Sequence, residues 1–304
     1  MRTTILCIFL SLLMSPLAHS QDAKESDKYL GQPPPSLQSE IFAPGLISQK
    51  NQYEFGSVFN KDATAFFYAV DANGKADIRY SELVGKQWSE PKIILSHEQY
   101  GFNDPFLSPD EQRLYFISQK KREGSQAGKN YDIWYVKKQK NGWSEPINAG
   151  PQINSDRDEY YISFTKEGSM YFASNKLHPE TATNSFDIYV SKSKDGEFQT
   201  PSRLGPAINT SHYEADVFIA PDESYIIFCA NRPEGLGRGD LYISFKKDDG
   251  SWTKSINMGD KINTSGHELC PYVSMDGKYF FYTSRQDIYW VSTQVFDELK
   301  QESK

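Results

Sequence analysis

One short phrase returns three times along this chain: Ile153-Asn154-Ser155, Ile208-Asn209-Thr210 and Ile262-Asn263-Thr264, at steps of 55 and 54 residues. A fixed period of that size constrains the fold more than any other feature. A unit this short cannot bury its own apolar face and must pack against copies of itself. Laid out on the period, the chain shows four short runs per unit, five times over. The second unit reads "FNDPFLSPD", "RLYFISQK", "YDIWYVKK" and "GWSEPINA"; the fourth reads "EADVFIAPD", "SYIIFCANR", "GDLYISFK" and "SWTKSINM". Alternation at period two, rich in aromatic and β-branched residues, reads as strand. Pro-Asp and Asp-Gly turns ("SPDEQ", "APDES", "SMDGK") follow the first strands of units 2, 4 and 5, and Gly hairpins ("KNGW", "KDGE", "DDGS") precede the fourth strands of units 2, 3 and 4.

Four antiparallel strands repeated five times predict an all-β fold, a single five-bladed β-propeller over residues 36–298. The fifth unit lacks an outer strand. Residues 36–48, "SLQSEIFAPGLIS", follow the order of residue types in "WSEPINAGPQINS". Residues 39–43 are therefore expected to supply that strand and close the ring, since an open ring leaves two sheet edges exposed.

The flanks read differently. Residues 1–20 carry Arg2, an apolar run from Ile5 to Leu13 and Ala18-His19-Ser20, the pattern of a secretory signal cleaved near Ser20. Cys7 lies inside the apolar run without a preceding small-residue pair, which argues against a lipoprotein site. Removing this leader takes one base and no acid, so a net charge of -7 becomes -8. An acidic surface argues against nucleic acid and anionic membranes. No other apolar run is long enough to span a bilayer. The expectation is a monomer exported to the periplasm or cell exterior. Residues 21–35 read as a Pro-rich flexible linker and 299–304 as a polar tail. Cys229 and Cys270 sit in strand-like runs and read as small buried side chains; export leaves a disulfide open.

The segments "SPDEQRLYFISQK...YDIWYV", "APDESYIIFCANRPEGLGRGDLYIS" and "SMDGKYFFYTSRQDIYWVS" resemble the Pro-Asp repeats of the TolB-like, WD-repeat-like propeller family. The resemblance covers roughly residues 36–296. It implies a propeller of the bacterial periplasm or cell exterior and no single activity. Blade 1 departs from it with "FNKDATAFFY" and Arg79, and blade 3 with "TKEG".

Stacking the units exposes columns. Asp77, Asp132, Asp187, Asp240 and Asp287 open the third strands, while Lys120, Lys176, Arg232 and Arg285 end the second strands. Facing each other across a hairpin, the two columns are expected to pair as structural ion pairs. A further column heads the innermost strands: Glu54, Glu159, Glu214 and Glu268, with Phe102 in blade 2 and Asp104 two residues on. Tyr53, Asp158, Tyr213 and His267 precede it. Three readings stand for these acids: structural bonds to backbone N–H groups or neighbouring bases, a Ca²⁺ site on Glu159, Glu214 and Glu268, or a ligand site formed by Glu54, Asp104, Glu159, Glu214, His267 and Glu268. Longer loops in blades 2, 3 and 4 add Lys129, His178 and Arg238 to the same face. Trp88, Trp143 and Trp252 are expected to pack blade on blade.

No G-x-S-x-G elbow, H-E-x-x-H, P-loop or dinucleotide fingerprint is present. The leading functional reading is a non-catalytic binding or scaffold protein of the cell envelope, taking an envelope protein or glycan at the channel mouth. The alternative is a glycoside hydrolase drawing on Asp104, Glu159, Glu214 and Glu268.

Overall fold

A computed structural model of the chain describes residues 24–71, 73–122, 130–177 and 185–303. The expected leader, with Cys7, and the loop residues Lys129 and His178 lie outside them. Five antiparallel blades follow one another along the chain; the first four run from the hub outward in sequence order, and the fifth takes its outer strand from the N-terminal side. The innermost strands are Tyr53–Phe59, Asn103–Leu107, Glu159–Phe164, Tyr213–Ile219 and Leu269–Val273.

The ring closes as the repeat predicts. Glu40–Ile41 forms the outer strand of blade 5, with Glu40 opposite Trp290 and Ile41 opposite Tyr289. The Phe42 N–H then donates to the Ile288 carbonyl at 2.8 Å. Phe42 is fully buried and meets Phe59, Phe66, Phe281 and Trp290, with ring centroids 5.1–5.9 Å away. It thereby joins blade 5 to blade 1.

Both flanks of the ring carry local structure. Within the stretch read as a flexible linker, residues 24–31 wind through two short 3₁₀ turns, Glu25–Asp27 and Tyr29–Gly31. Tyr29 and Leu30 are buried, and Tyr29 packs edge-on against Phe59 and Tyr279 at 5.1 and 4.8 Å. Aromatic burial there outweighs the polar composition that suggested disorder. At the C-terminal end a helix, Val295–Glu302, begins on buried Val295 and Phe296 and carries the first residues of the polar tail.

Every inner strand carries a bulge. Pairing skips after Phe55, Asn103, Tyr160, Ala215 and Leu269. In each strand one residue there takes a left-handed backbone: Gly56, Asp104, Tyr161, Asp216 and Cys270, with φ between 45 and 62°. A bulge adds a residue to one strand, bends it and sharpens its twist, which lets five strands converge on a narrow hub. Toward the face bearing the Pro-Asp turns, the hub is filled by rings. Phe106 lies 6.1 Å from Phe164 and 6.0 Å from Tyr272, which lies 6.0 Å from Phe218.

Candidate functional site

The recurrent Ile-Asn-Ser/Thr phrase proves to be a joint between blades. Ile153, Ile208 and Ile262 are buried. Asn154 accepts the Ile133 N–H at 2.8 Å and donates to the Ile133 carbonyl at 2.9 Å. Asn209 does the same to Ile188, and Asn263 to Leu241. A side-chain amide thus imitates a strand neighbour, satisfying backbone groups that burial would otherwise orphan.

The Ser or Thr that follows serves the glutamate four residues on. Ser155 gives Glu159 its N–H at 3.0 Å and its hydroxyl at 2.6 Å, and Ser174 adds a hydroxyl at 2.9 Å. Thr264 and Ser284 do the same for Glu268. In blade 4, Thr210 supplies N–H and hydroxyl to Glu214, and Arg232 replaces the serine through Nε and Nη2 at 3.2 and 3.1 Å. The remaining guanidinium hydrogens reach Ser255 and the Ile208 carbonyl. Glu54 at the ring seam is the poorest case: the Gln49 N–H reaches Oε1, and Oε2 has no partner among the described residues.

All four glutamates are fully buried. Burial pushes Glu54 and Glu159 up to about 7 against the hydrogen bonds that favour the carboxylate, and it raises Glu214 as well. Each is enclosed within its own blade junction, so Glu159, Glu214 and Glu268 are not brought together as a cation cage. Among the described residues no group of three or more His, Cys, Asp or Glu is placed to hold a metal ion.

Asp104 does not stand in for the missing glutamate of blade 2. It belongs to the bulge column, because its left-handed backbone takes it out of the alternation that places Phe102. There it meets Asp216, which the sequence reading missed. The Cys270 thiol donates to Asp104 at 3.4 Å, and the Cys270 backbone N–H faces the Asp216 carboxylate. Burial first, then the neighbouring carboxylate, raises Asp104 above the usual range; burial raises Asp216 too. Among the described residues Cys270 donates to both carboxyl groups, and no base forms an ion pair with either.

Aromatic rings surround these acids on the loop-bearing side. Tyr131 lies 5.1 Å from Tyr160, Tyr160 stacks on Phe186 at 4.7 Å, and Phe186 meets Tyr213 at 5.7 Å. Tyr53 packs on Phe55 at 5.0 Å. Burial raises the phenols of Tyr53, Tyr131, Tyr160 and Tyr213, and nearby carboxylates add to the rise, so they stay protonated donors. The arrangement offers an aromatic collar above two closely spaced carboxyl groups. It suits a group that donates hydrogen bonds or carries positive charge.

The other columns are placed differently from expectation. Asp132 pairs with Arg122 at 3.0 Å and Asp187 with Arg203 at 2.6 Å, while Asp240 accepts the Leu236 and Gly237 N–H groups and the Asn257 amide. The bases instead reach over rings of the third strand: Lys120 over Trp134 at 5.7 Å, Lys176 over Tyr189 at 4.0 Å, Arg232 over Tyr242 at 4.5 Å. Their stems are long enough to pass the hairpin mouth, and the ring two residues beyond each Asp shares its strand face. Asp77 and Asp287 are half-buried, and Arg285 and Arg238 are exposed.

His267 is half-buried with its pKa lowered by burial and by Arg238, and its Nε2 lies 3.5 Å from the Cys229 sulfur. Asp158 is occupied by the Tyr131 N–H and the Asn175 amide. Cys229 and Cys270 are buried and free. Trp143 packs on Phe67 of the preceding blade at 5.9 Å, and Trp88 donates to the Asp27 carbonyl at 2.7 Å.

No protein-family model matches the sequence, and no curated protein matches it. Solved structures do resemble it. TolB from Acinetobacter baumannii aligns with a TM-score of 0.53 at 16% identity over 82% of this chain and 54% of its own. A protein of unknown function from Dyadobacter fermentans gives 0.52 at 15% identity, over 86% and 84%. A thermostable family-43 glycoside hydrolase gives 0.53 at 13%, over 80% and 90%. This chain therefore spans about half the length of that TolB. At these identities the likeness establishes the propeller fold. No helix among the described residues is long and apolar enough to cross a membrane.

Proposed function

We propose that this propeller is an exported binding protein of the bacterial cell envelope. Its ligand or protein partner seats on the aromatic collar and directs a hydrogen-bond donor or cationic group at Asp104 and Asp216. The observation that carries the reading is this pair of carboxyl groups, Asp104 buried and Asp216 half-buried, with no ion pair to a base among the described residues, at the mouth side of an otherwise filled hub. Groups arranged at such cost to the folded state are common at binding sites. The leader-like N-terminus and the TolB-like architecture support export and an envelope setting.

The hydrolase reading retains one supporting likeness, the family-43 enzyme. Its acids would have to be Asp104 and Asp216, because Glu159, Glu214 and Glu268 have their carboxylates occupied by their own repeats. The test is affinity capture from a solubilised envelope fraction, using the mature protein and the Asp104→Asn/Asp216→Asn double variant. A partner retained by the first and lost by the second supports the proposal. Equal capture by both, or turnover of a sugar polymer by the wild-type protein, overturns it.

A further inference from the structure

The junction between blades 1 and 2 differs from its neighbours. Where other connections bury Ile153, Ile208 or Ile262 and clamp the preceding blade with an Asn, this one reads Leu95-Ser96-His97. Ser96 and His97 are exposed. Between this connection and the outer strand of blade 2 lies an open cleft of about 380 Å³, within the size range of small-molecule sites.

Its lining combines three chemistries. Aromatic surface comes from Trp143 and from Tyr100, whose ring stacks on His97 at 3.8 Å with 9° between planes. Uncharged and acidic oxygen comes from Ser96, Ser144 and Glu145. Positive charge comes from Lys120. Its ammonium reaches the Tyr100 hydroxyl at 3.3 Å and lies over the Tyr100 and Trp134 rings. Within the same column Arg232 is neutralised by Glu214. Lys120 forms no ion pair with a described carboxylate, so its charge is held at the cleft by the Tyr100 hydroxyl and by ring faces.

We propose that this cleft binds an acidic sugar, a pyranose ring bearing a carboxylate. The carboxylate pairs with Lys120, the apolar C–H face of the ring lies on aromatic surface, and the ring hydroxyls meet Ser96, Ser144 and Glu145. A sugar ring gains bonds to these oxygens that an aromatic carboxylate, with no ring hydroxyls, does not make. The site is separate from the collar at the hub, and its test does not depend on that reading.

The experiment is an NMR titration of the mature protein with D-glucuronate and with D-glucose, following the Trp143 indole N–H. Lys120→Met keeps the stem across the rings and removes the charge; Lys176→Met is the control. The expected result is saturable binding of glucuronate, weaker by about tenfold or more for glucose and for Lys120→Met, as loss of one charge-assisted bond implies. Lys176→Met should bind as the wild type does. The glucose comparison uses the unmodified protein, so it stands even if a variant folds poorly. Absence of saturable glucuronate binding, equal binding of glucose, or full binding by folded Lys120→Met overturns the proposal.

Discussion

Two sets of acids occupy columns two residues apart on the inner strands, and only blade 4 carries both. At the strand heads, Glu159, Glu214 and Glu268 are each wrapped by an N–H, a hydroxyl and a further donor from their own blade. At the bulges, Asp104 and Asp216 share Cys270 as their donor among the described residues. The first set recurs because each blade junction needs the same joint. The second set does not recur: the column reads Gly56, Asp104, Tyr161, Asp216 and Cys270. In a repeat protein a chemistry present in every copy is explained by the fold, and a chemistry present in one or two copies needs another explanation.

Several substitutions sharpen or break this contrast, beginning with the largest effect. Glu214→Ala leaves the Arg232 guanidinium buried without its counter-charge, and should cost roughly 3–5 kcal/mol, or about 10 °C in Tm for a domain of this size. Urea unfolding measures it, and a loss below about 1 kcal/mol would place Glu214 outside the joint. Asn209→Ala should come next. It strips the Ile188 N–H and C=O of their partner in a buried setting, at about 2–3 kcal/mol. Ser174→Ala removes one of three donors from Glu159 and should cost about 1 kcal/mol. Asp104→Asn should sit at the bottom of the scale. It relieves like-charge repulsion, and above neutral pH it should leave stability unchanged or raise it by up to about 1 kcal/mol.

The acids also set a pH dependence. Burial raises Asp104 and Asp216 above their unfolded values, so the folded protein holds protons that the unfolded chain releases. Stability is then greatest below the ordinary carboxylate range near about 3.9 and falls as pH rises through the raised folded values. Glu54 and Glu159, at about 7, act in the same direction. Calorimetric Tm across pH should show this decline, shallower in Asp104→Asn. An equal slope in both proteins would remove Asp104 from the account.

The ring and its closing strand were legible because propeller geometry is written as a period, and "SLQSEIFAP" repeats the outer-strand pattern far from its blade. The glutamate column was legible as a column. Its chemistry was not, because the donors come from a Ser or Thr four residues earlier and from the second strand. Asp216 was invisible for a sharper reason. Simple alternation assigns residue faces at period two, and a bulge with left-handed backbone breaks that period at the position where the two aspartates meet. The packing of Tyr29 was not legible, because composition alone does not reveal that its ring fits among Phe59, Tyr279 and Phe281.

The most direct measurement compares the two acid sets in one assay: equilibrium urea unfolding of Glu159→Gln and Asp104→Asn at pH 8. Glutamine offers one acceptor oxygen to three donors, so Glu159→Gln should lose at least about 2 kcal/mol, while Asp104→Asn loses nothing. A larger loss for Asp104→Asn than for Glu159→Gln would contradict the assignment of structure to the strand heads and of binding to the bulges.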